Sequence, residues 1–393
     1  MPGRHFLQIP GPSNVPARVL RAMERPVINH RGIEFAELAK GLFPKLRQIF
    51  KTQHGTPIIF PSSGTGAWES SLVNTLSPGD RVLAFSIGEF SAGYARTARN
   101  NGFDVELVEL EWGSTIPPEL VEEKLKADTA HAYKAVLTIH NETSTGVTPD
   151  IGAVREAMDR ARHPALLMVD TISGLASADF RFDEWKVDVA VACSQKGLML
   201  PPGLSFLCVS EKALAAREKA TTPRHYFDWA PMIARNAQGF FPYTPATNML
   251  YALEESTDML LEEGLEHVFA RHGRMAEAVR RAVRAWGLKI VAHPGAESPV
   301  LTAVHLPEGV DGDQLLVVSE TDFDLSLGNG LGPLARKAFR IGHLGDMNDL
   351  EVLATLAGCE MVLTRMGVKL DIGSGVATAQ HFFLDNPLPK PSK

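Results

Sequence analysis

Short apolar runs alternate with helix-like stretches from about residue 56 to residue 210, and this alternation constrains the fold more than any other feature. Each run has the length of a strand and is mostly apolar, which is typical of strands buried on both faces. Strands separated by helices predict a mainly parallel α/β sheet. The runs are 58–60, 81–85, 105–108, 135–140, 165–170, 187–193 and 204–209.

The segments on either side of this region predict an arm and a second domain. The proline-rich segment 10–16 suits an extended arm that leads into a helix near Ala17. Residues 248–286 have a helical pattern broken near Gly264, followed by strand candidates and a helix at 349–365. The predicted division is an N-terminal arm (1–18), a large α/β domain (19–265), a small C-terminal α+β domain (266–382) and a loose tail (383–393).

Composition excludes several classes of protein. A length of 393 residues suggests about two domains, and the net charge of -7 argues against a nucleic-acid binder. The three cysteines are an odd number in apolar surroundings, which indicates reduced thiols. The N-terminus lacks the apolar core of a signal peptide, and no apolar run reaches the roughly 18 residues of a membrane span. We therefore expect a cytoplasmic protein with no membrane or nucleic-acid partner.

Two residues at predicted strand ends suggest a pyridoxal phosphate (PLP) site. Lys196 follows the run 187–193, and Asp170 ends the run 165–170. A lysine can hold PLP as a Schiff base, and an aspartate can keep the pyridine nitrogen protonated so that the ring accepts electrons. Neither residue is diagnostic alone, since a lysine after a strand is usually a solvated loop end. No metal site is predicted.

Other strand ends carry polar or aromatic groups with two interpretations each. The glycine-rich loop 62–67 precedes a helix and could hold a phosphate or be a plain strand-to-helix turn. Phe90 could stack on a flat ring or belong to the core, and the loop 140–146 could bind a ligand or be a capped turn. Arg340 lies in an apolar strand candidate, where it could form a structural ion pair or clamp a substrate carboxylate.

Taken together, these segments resemble the class V aminotransferases, a branch of the fold-type I PLP enzymes. Within that class the sequence is most similar to the serine–glyoxylate and alanine–glyoxylate aminotransferases. The residues that carry the resemblance run almost end to end, at 10–16, 63–69, 140–143, 188–205, 241–245 and 339–345. The resemblance implies a large PLP-binding α/β domain, a smaller C-terminal domain and a homodimer with its active site at the interface.

The resemblance also implies a role for individual residues. Lys196 forms the covalent link to PLP and moves the proton between the substrate α-carbon and the cofactor, and Asp170 pairs with the ring nitrogen. Arg340 clamps the substrate α-carboxylate. The phosphate is assigned to Gly64, Thr65, Gly66 and Gln195, the ring hydroxyl to Thr143, and the two faces of the ring to Phe90 and Ile172.

Four further residues are implied to act across the dimer interface. Tyr243 and Thr244 resemble the pair that reaches the phosphate of the neighbouring subunit. His30 and Arg31 stand where the serine-using branch has an aromatic–arginine pair that helps to hold the substrate. The histidine departs from the tyrosine of that pair, and this leaves the contact to the serine hydroxyl open.

The resemblance implies transfer of the amino group of L-serine to glyoxylate, which gives hydroxypyruvate and glycine. The alternatives are an alanine–glyoxylate or serine–pyruvate aminotransferase, a phosphonate aminotransferase, a cysteine desulfurase or a non-enzymatic PLP-fold protein. A desulfurase needs a reactive cysteine on a mobile loop, whereas the cysteines here lie in strand-like or helix-like runs. A regulator of this fold would carry a basic DNA-binding domain, and the sequence has none.

Overall fold

The computed structural model describes residues 5–388 and contains two sheets with helices packed around them. The strands are β1 (Phe6–Gln8), β2 (Thr56–Pro61), β3 (Arg81–Ser86), β4 (Asp104–Glu109), β5 (Tyr133–Ile139), β6 (Leu166–Asp170), β7 (Val189–Cys193), β8 (Leu204–Val209), β9 (Lys289–Ile290), β10 (Leu301–His305), β11 (Leu325–Asn329) and β12 (Ala338–Gly342). The helices are α1 (Ala17–Met23), α2 (Ile33–Ile49), α3 (Gly64–Thr75), α4 (Glu89–Asn100), α5 (Pro118–Ala127), α6 (Ile151–Ala161), α7 (Glu211–Arg217), α8 (Trp229–Asn236), α9 (Thr247–Glu263), α10 (Leu265–Ala285), α11 (Gly312–Phe323), α12 (Asp349–Arg365) and α13 (Ser374–Asp385).

The larger sheet confirms the prediction of a mainly parallel α/β sheet. Its seven strands lie in the order β2-β8-β7-β6-β5-β3-β4, and each contains one of the predicted apolar runs or most of it. The strands from β7 to β4 pair in parallel, whereas β8 is antiparallel to both of its neighbours. Since β2 and β7 are both antiparallel to β8, the carboxyl ends of β2, β5, β6 and β7 all lie at one edge.

Local sequence signals explain where the helices of this domain begin. The side chain of Asp150 accepts a hydrogen bond from Ala153 N at 2.9 Å and so caps the start of α6. Ser63 caps α3 in the same way, through a 3.4 Å bond from Gly66 N. The break predicted near Gly264 separates α9 from α10, because this glycine has a φ of +82°.

The smaller sheet has the order β1-β11-β12-β10-β9 and is covered by α10 to α13. The helix predicted at 349–365 is confirmed as α12. The N-terminal arm supplies β1, an edge strand that pairs in parallel with β11. The last helix extends through Asp385, so residues 383–385 are helical and do not belong to a loose tail; residues 389–393 of that tail lie outside the described part.

The apolar interior is divided between two main clusters, one around the seven-stranded sheet and one in the C-terminal part. Helix α10 contributes Val268 to the first cluster and Met275 to the second, so it joins the two. The domain boundary at residues 265 and 266 stays a prediction. No helix within residues 5–388 is long and apolar enough to cross a membrane.

Candidate active site

Most of the predicted cofactor and substrate residues meet at one edge of the larger sheet. Asp170 ends β6, Thr143 follows β5, and Lys196 follows β7, because the carboxyl ends of parallel strands share an edge. The N-terminus of α3 reaches the same edge from β2. Arg340 comes from β12 of the smaller sheet and donates a hydrogen bond to Thr143 O at 2.9 Å. The site therefore lies between the two sheets.

Asp170 is a buried carboxylate whose partners are both neutral N–H groups. Trp68 Nε1 donates to its Oδ2 at 2.8 Å, and Ile172 N donates to its Oδ1 at 2.7 Å. Burial raises the pKa of Asp170 to about 7, while these two hydrogen bonds oppose that rise. Among residues 5–388 no cation forms an ion pair with Asp170, so the carboxylate favours a cationic partner from a ligand.

Trp68 is the functional contact that sequence reasoning missed. Its ring stacks on Tyr94 with centroids 5.6 Å apart and an interplanar angle of 17°. Tyr94 is fixed in turn by a 2.6 Å hydrogen bond between its hydroxyl and Ser71 Oγ. One sequence signal was available, because a buried tryptophan normally finds an acceptor for its indole N–H.

Lys196 points towards the N-terminal arm. Its Nζ donates to Pro10 O at 2.7 Å, and burial together with the positive charge of Arg340 lowers the pKa of the amine. Gly11 leaves the room that this contact needs, since a Cβ there would stand 2.4 Å from the lysine Nζ. Ser13 fastens the arm, with its Oγ donating to Lys196 O at 2.8 Å and its N donating to Gln195 O at 2.9 Å. The lysine amine is therefore held by the backbone of a segment almost two hundred residues away.

The N-terminus of α3 presents a cradle for an anion. The backbone N–H groups of Gly64 and Thr65 have no hydrogen-bond partner in the part of the chain that the structure describes. The amide oxygen of Gln195 is also buried without a hydrogen-bond partner in residues 5–388, but as an acceptor it does not itself favour an anion. Residue 64 must be small here, because a Cβ would stand 2.6 Å from the Cδ1 of Ile172. Free N–H groups and the dipole of a twelve-residue helix favour a phosphate.

The N-terminus of α4, which carries Phe90, is filled by a carboxylate of the protein itself. Glu142 is fully buried; its Oε1 accepts from Phe90 N at 3.3 Å, and its Oε2 accepts from Ser91 N at 2.9 Å. The hydroxyls of Ser91 and Ser144 also donate to this carboxylate, at 2.8 and 2.7 Å. Gly88 makes room, because a Cβ there would stand 2.5 Å from Glu142 Cδ. Glu142 thus fixes the helix start that positions Phe90.

Arg340 is buried, and no carboxylate within residues 5–388 forms an ion pair with it. Its Nε donates to Asn329 O at 2.7 Å, one terminal nitrogen donates to Thr143 O at 2.9 Å, and the other reaches Asn329 Oδ1 at 3.4 Å. Burial lowers the pKa of the guanidinium to about 10, and the charge of Glu142 opposes this. Of five N–H donors, one on each terminal nitrogen stays available for a ligand.

Thr143 and Ser173 link the two sides of the site. Thr143 Oγ1 donates to Ser173 Oγ at 2.8 Å, and Asn141 Nδ2 donates to the same hydroxyl oxygen at 2.8 Å. Asn141 Oδ1 accepts from Ser298 Oγ at 2.5 Å, which ties this loop to the chain that precedes β10.

The neighbouring His140 is buried against Phe180, and burial lowers the pKa of its imidazole to about 4.

Four predicted residues are not brought to the site within one chain. Tyr243 OH donates to the carbonyl oxygens of His225 and Tyr226, both at 2.9 Å, and Thr244 is exposed. Arg31 is exposed in the loop between α1 and α2. Within residues 5–388, neither His30 nor Arg31 forms a hydrogen bond or an ion pair with Lys196, Asp170 or Arg340. Their predicted action across a dimer interface stays a prediction.

The cysteines offer no reactive thiol. Cys193, Cys208 and Cys359 are free and buried. Burial raises the pKa of Cys193 to about 12 and also raises the pKa of the other two thiols. Within residues 5–388, no group of three His, Cys, Asp or Glu side chains could hold a metal ion.

Comparisons with known proteins identify the family to which this chain is similar. The family model for aminotransferase class-V matches residues 5–328. A serine–glyoxylate aminotransferase from Methylorubrum extorquens is 50% identical over 99% of this chain and 98% of its own. An L-aspartate–glyoxylate aminotransferase from Paracoccus denitrificans is 44% identical over 98% of this chain and 97% of its own. The crystal structure of a ureidoglycine–glyoxylate aminotransferase from Bacillus subtilis superimposes with a TM-score of 0.90 and 30% identity, covering 98% of this chain and 99% of that one.

Proposed function

Because the chain belongs to the class V aminotransferases, we propose that it uses PLP to transfer the amino group of L-serine to glyoxylate, giving hydroxypyruvate and glycine. The three relatives described above differ in the amino donor that their names give, but all three names include glyoxylate. Serine is proposed as the donor because the serine–glyoxylate relative is the most similar of the three.

The observation that carries the reaction class is the unsatisfied charge at the sheet edge. Among residues 5–388, Asp170 is a buried carboxylate without a cation as ion-pair partner, and Arg340 is a buried cation without a carboxylate as ion-pair partner. Burying a charge without a partner is costly, so both groups favour a ligand of opposite charge. A cofactor with a cationic ring nitrogen would satisfy the first, and the carboxylate of an amino or keto acid would satisfy the second.

The residues present fit PLP. Asp170 would face the ring nitrogen and Lys196 would bind the aldehyde carbon. The free N–H groups of Gly64 and Thr65 would hold the phosphate, and the side-chain N–H₂ of Gln195 would be a further donor. Phe90 and Ile172 would flank the ring. When bound, PLP supplies an electron sink that stabilises negative charge on the substrate α-carbon.

Lys196 would act as the proton carrier. Its amine lies in a buried setting that lowers its pKa, so it is more readily neutral and able to accept a proton. In the first half-reaction its Nζ takes the proton from the α-carbon of serine. In the second half-reaction the same nitrogen returns a proton to the carbon that becomes the α-carbon of glycine.

Arg340 would orient the substrate. Its two available N–H donors, one on each terminal nitrogen, match the two oxygens of an α-carboxylate. This contact would hold the α-carbon in one position relative to Lys196 for both the amino acid and the keto acid. Glyoxylate has no side chain, so the carboxylate supplies most of its recognition.

We further propose that the functional unit is a homodimer. Tyr243 and Thr244 would reach the phosphate of the neighbouring subunit, and His30 with Arg31 would complete the substrate pocket there. The exposed position of Arg31 and Thr244 supports this role, because neither is enclosed by its own chain. The cytoplasmic location expected from the sequence stays a prediction.

The test is an absorbance titration of the purified, PLP-loaded protein. L-serine should bleach the absorption band of the lysine-bound cofactor, and glyoxylate should restore it. L-alanine, L-aspartate and a 2-aminophosphonate, added separately, serve as matched donors. If one of them bleaches the band and serine does not, the aminotransferase stands with a different donor. A protein that takes up no PLP would refute the whole proposal.

A further inference from the structure

The indole N–H of Trp68 is a direct partner of the residue proposed to pair with the cofactor ring. Its Nε1 lies 2.8 Å from Asp170 Oδ2, and both side chains are buried. The other carboxylate oxygen accepts from Ile172 N at 2.7 Å. Each oxygen has therefore one donor and retains lone-pair capacity for a further partner.

The position of the indole is set by its own supports. The ring stacks on Tyr94, and the second turn of α4 approaches it so closely that a Cβ on Gly93 would stand 3.3 Å away. An indole nitrogen only donates, so it favours an ionised acceptor over a protonated one. Within residues 5–388, the indole N–H has no hydrogen-bond partner other than Asp170.

We propose that Trp68 is a positioning residue that holds Asp170 ionised and aimed at the ring nitrogen of the cofactor. This inference rests on the proposed function, because it assigns Trp68 a role only if PLP binds at this site. Burial and the negative charge of Glu142 both favour protonation of Asp170, and the indole N–H opposes them. Without that N–H, the carboxyl group should hold the ring nitrogen less tightly.

The experiment compares Trp68→Phe with a matched control, Trp286→Phe. Trp286 Nε1 donates to the buried Glu360 Oε1 at 2.9 Å, so the control removes an indole–carboxylate bond of the same kind inside the smaller core. Each protein, freed of cofactor, is titrated with PLP and with an analogue whose ring nitrogen is replaced by C–H. Both ligands keep the aldehyde and the phosphate, so those contacts are common to both.

We expect Trp68→Phe to weaken PLP binding by at least about tenfold, the loss of one hydrogen bond to a charged group. The same variant should bind the analogue as the wild type does, because the analogue offers no ring nitrogen. Trp286→Phe should bind both ligands normally. If Trp68→Phe weakens both ligands equally, or neither, the tryptophan is only structural and the inference is wrong.

Two further measurements test the role of Trp68 if the first variant is not informative. If Trp68→Phe does not fold, Trp68→Tyr retains a ring against Tyr94 and also lacks the indole N–H. A crystal structure of the cofactor-loaded wild-type enzyme needs no variant; it should retain the contact between Nε1 and Asp170, and a tryptophan turned away would overturn the inference. Wild-type protein that binds no PLP at all would refute the proposed function itself.

Discussion

Replacing Arg340 tests whether the smaller sheet supplies the carboxylate clamp. Arg340→Ala removes the guanidinium while the sheet edge with Lys196 and Asp170 stays in place. The charge has no carboxylate partner among residues 5–388, so any carboxylate that pairs with it must come from outside the described chain. The substitution should therefore weaken substrate binding and leave cofactor binding largely unchanged.

The expected size follows from the donors that stay available. A hydrogen bond to a charged group contributes about 1.5–3 kcal/mol. Converted at about 1.4 kcal/mol per tenfold, this range predicts a rise in KM of about 10- to 150-fold for the amino acid and for the keto acid alike. Since the clamp acts on the ground state and the transition state equally, kcat should change less than KM.

Steady-state kinetics with varied serine at saturating glyoxylate, and the reverse, measure both KM values. Arg340→Lys retains a charge but not the two-point geometry, so its KM values should fall between those of the wild type and Arg340→Ala. Arg274→Ala is the matched control, because Arg274 also donates to two backbone carbonyls, of Phe383 and Asn386, away from the site. Unchanged KM values in Arg340→Ala would remove Arg340 from the substrate site.

Three further predictions concern the large domain. Lys196→Ala should abolish transamination yet still bind PLP through the phosphate and ring contacts, as a coupled assay and equilibrium dialysis would show; normal turnover would refute its role. Burial raises the pKa of Asp170 from 3.8 to about 7. Between these two pH values the carboxyl group is protonated in the folded, cofactor-free protein and ionised in the unfolded chain. The free energy of unfolding should therefore fall as the pH rises from about 4 to about 7. Urea unfolding measures the free energy of unfolding at pH 4 and pH 8 for the wild type and for Asp170→Asn. The decrease between the two pH values should be smaller in Asp170→Asn, by at most about 4 kcal/mol. An equal decrease in both proteins would contradict the raised pKa of Asp170. In Glu142→Gln, backbone N–H donors at the start of α4 face an amide N–H₂ in place of a carboxylate oxygen. The free energy of unfolding should therefore drop by at least about 2 kcal/mol. An unaltered thermal transition would show that the start of α4 does not need the carboxylate.

The seven strands of the larger sheet could be predicted because each contains a short, local and mostly apolar run. The same locality made Asp170 and Lys196 visible, since both stand at the ends of such runs. Helix α11 was missed although Asp311 caps it, because the paired valines Val317 and Val318 resemble a strand. Strand β11 was missed because only Leu325 and Leu327 are large apolar residues in it and it ends in Gly328 and Asn329.

The sequence by itself determined the class of fold and the residues at its strand ends. The order of the strands and helices along the chain follows from local apolar patterns, because each pattern lies within one strand or helix. What only the tertiary structure decided is which distant groups meet: Pro10 O on the amine of Lys196, the indole of Trp68 on Asp170, and Glu142 at the start of α4. These contacts depend on packing between elements far apart in sequence, and no local pattern encodes a partner 52, 102 or 186 residues away.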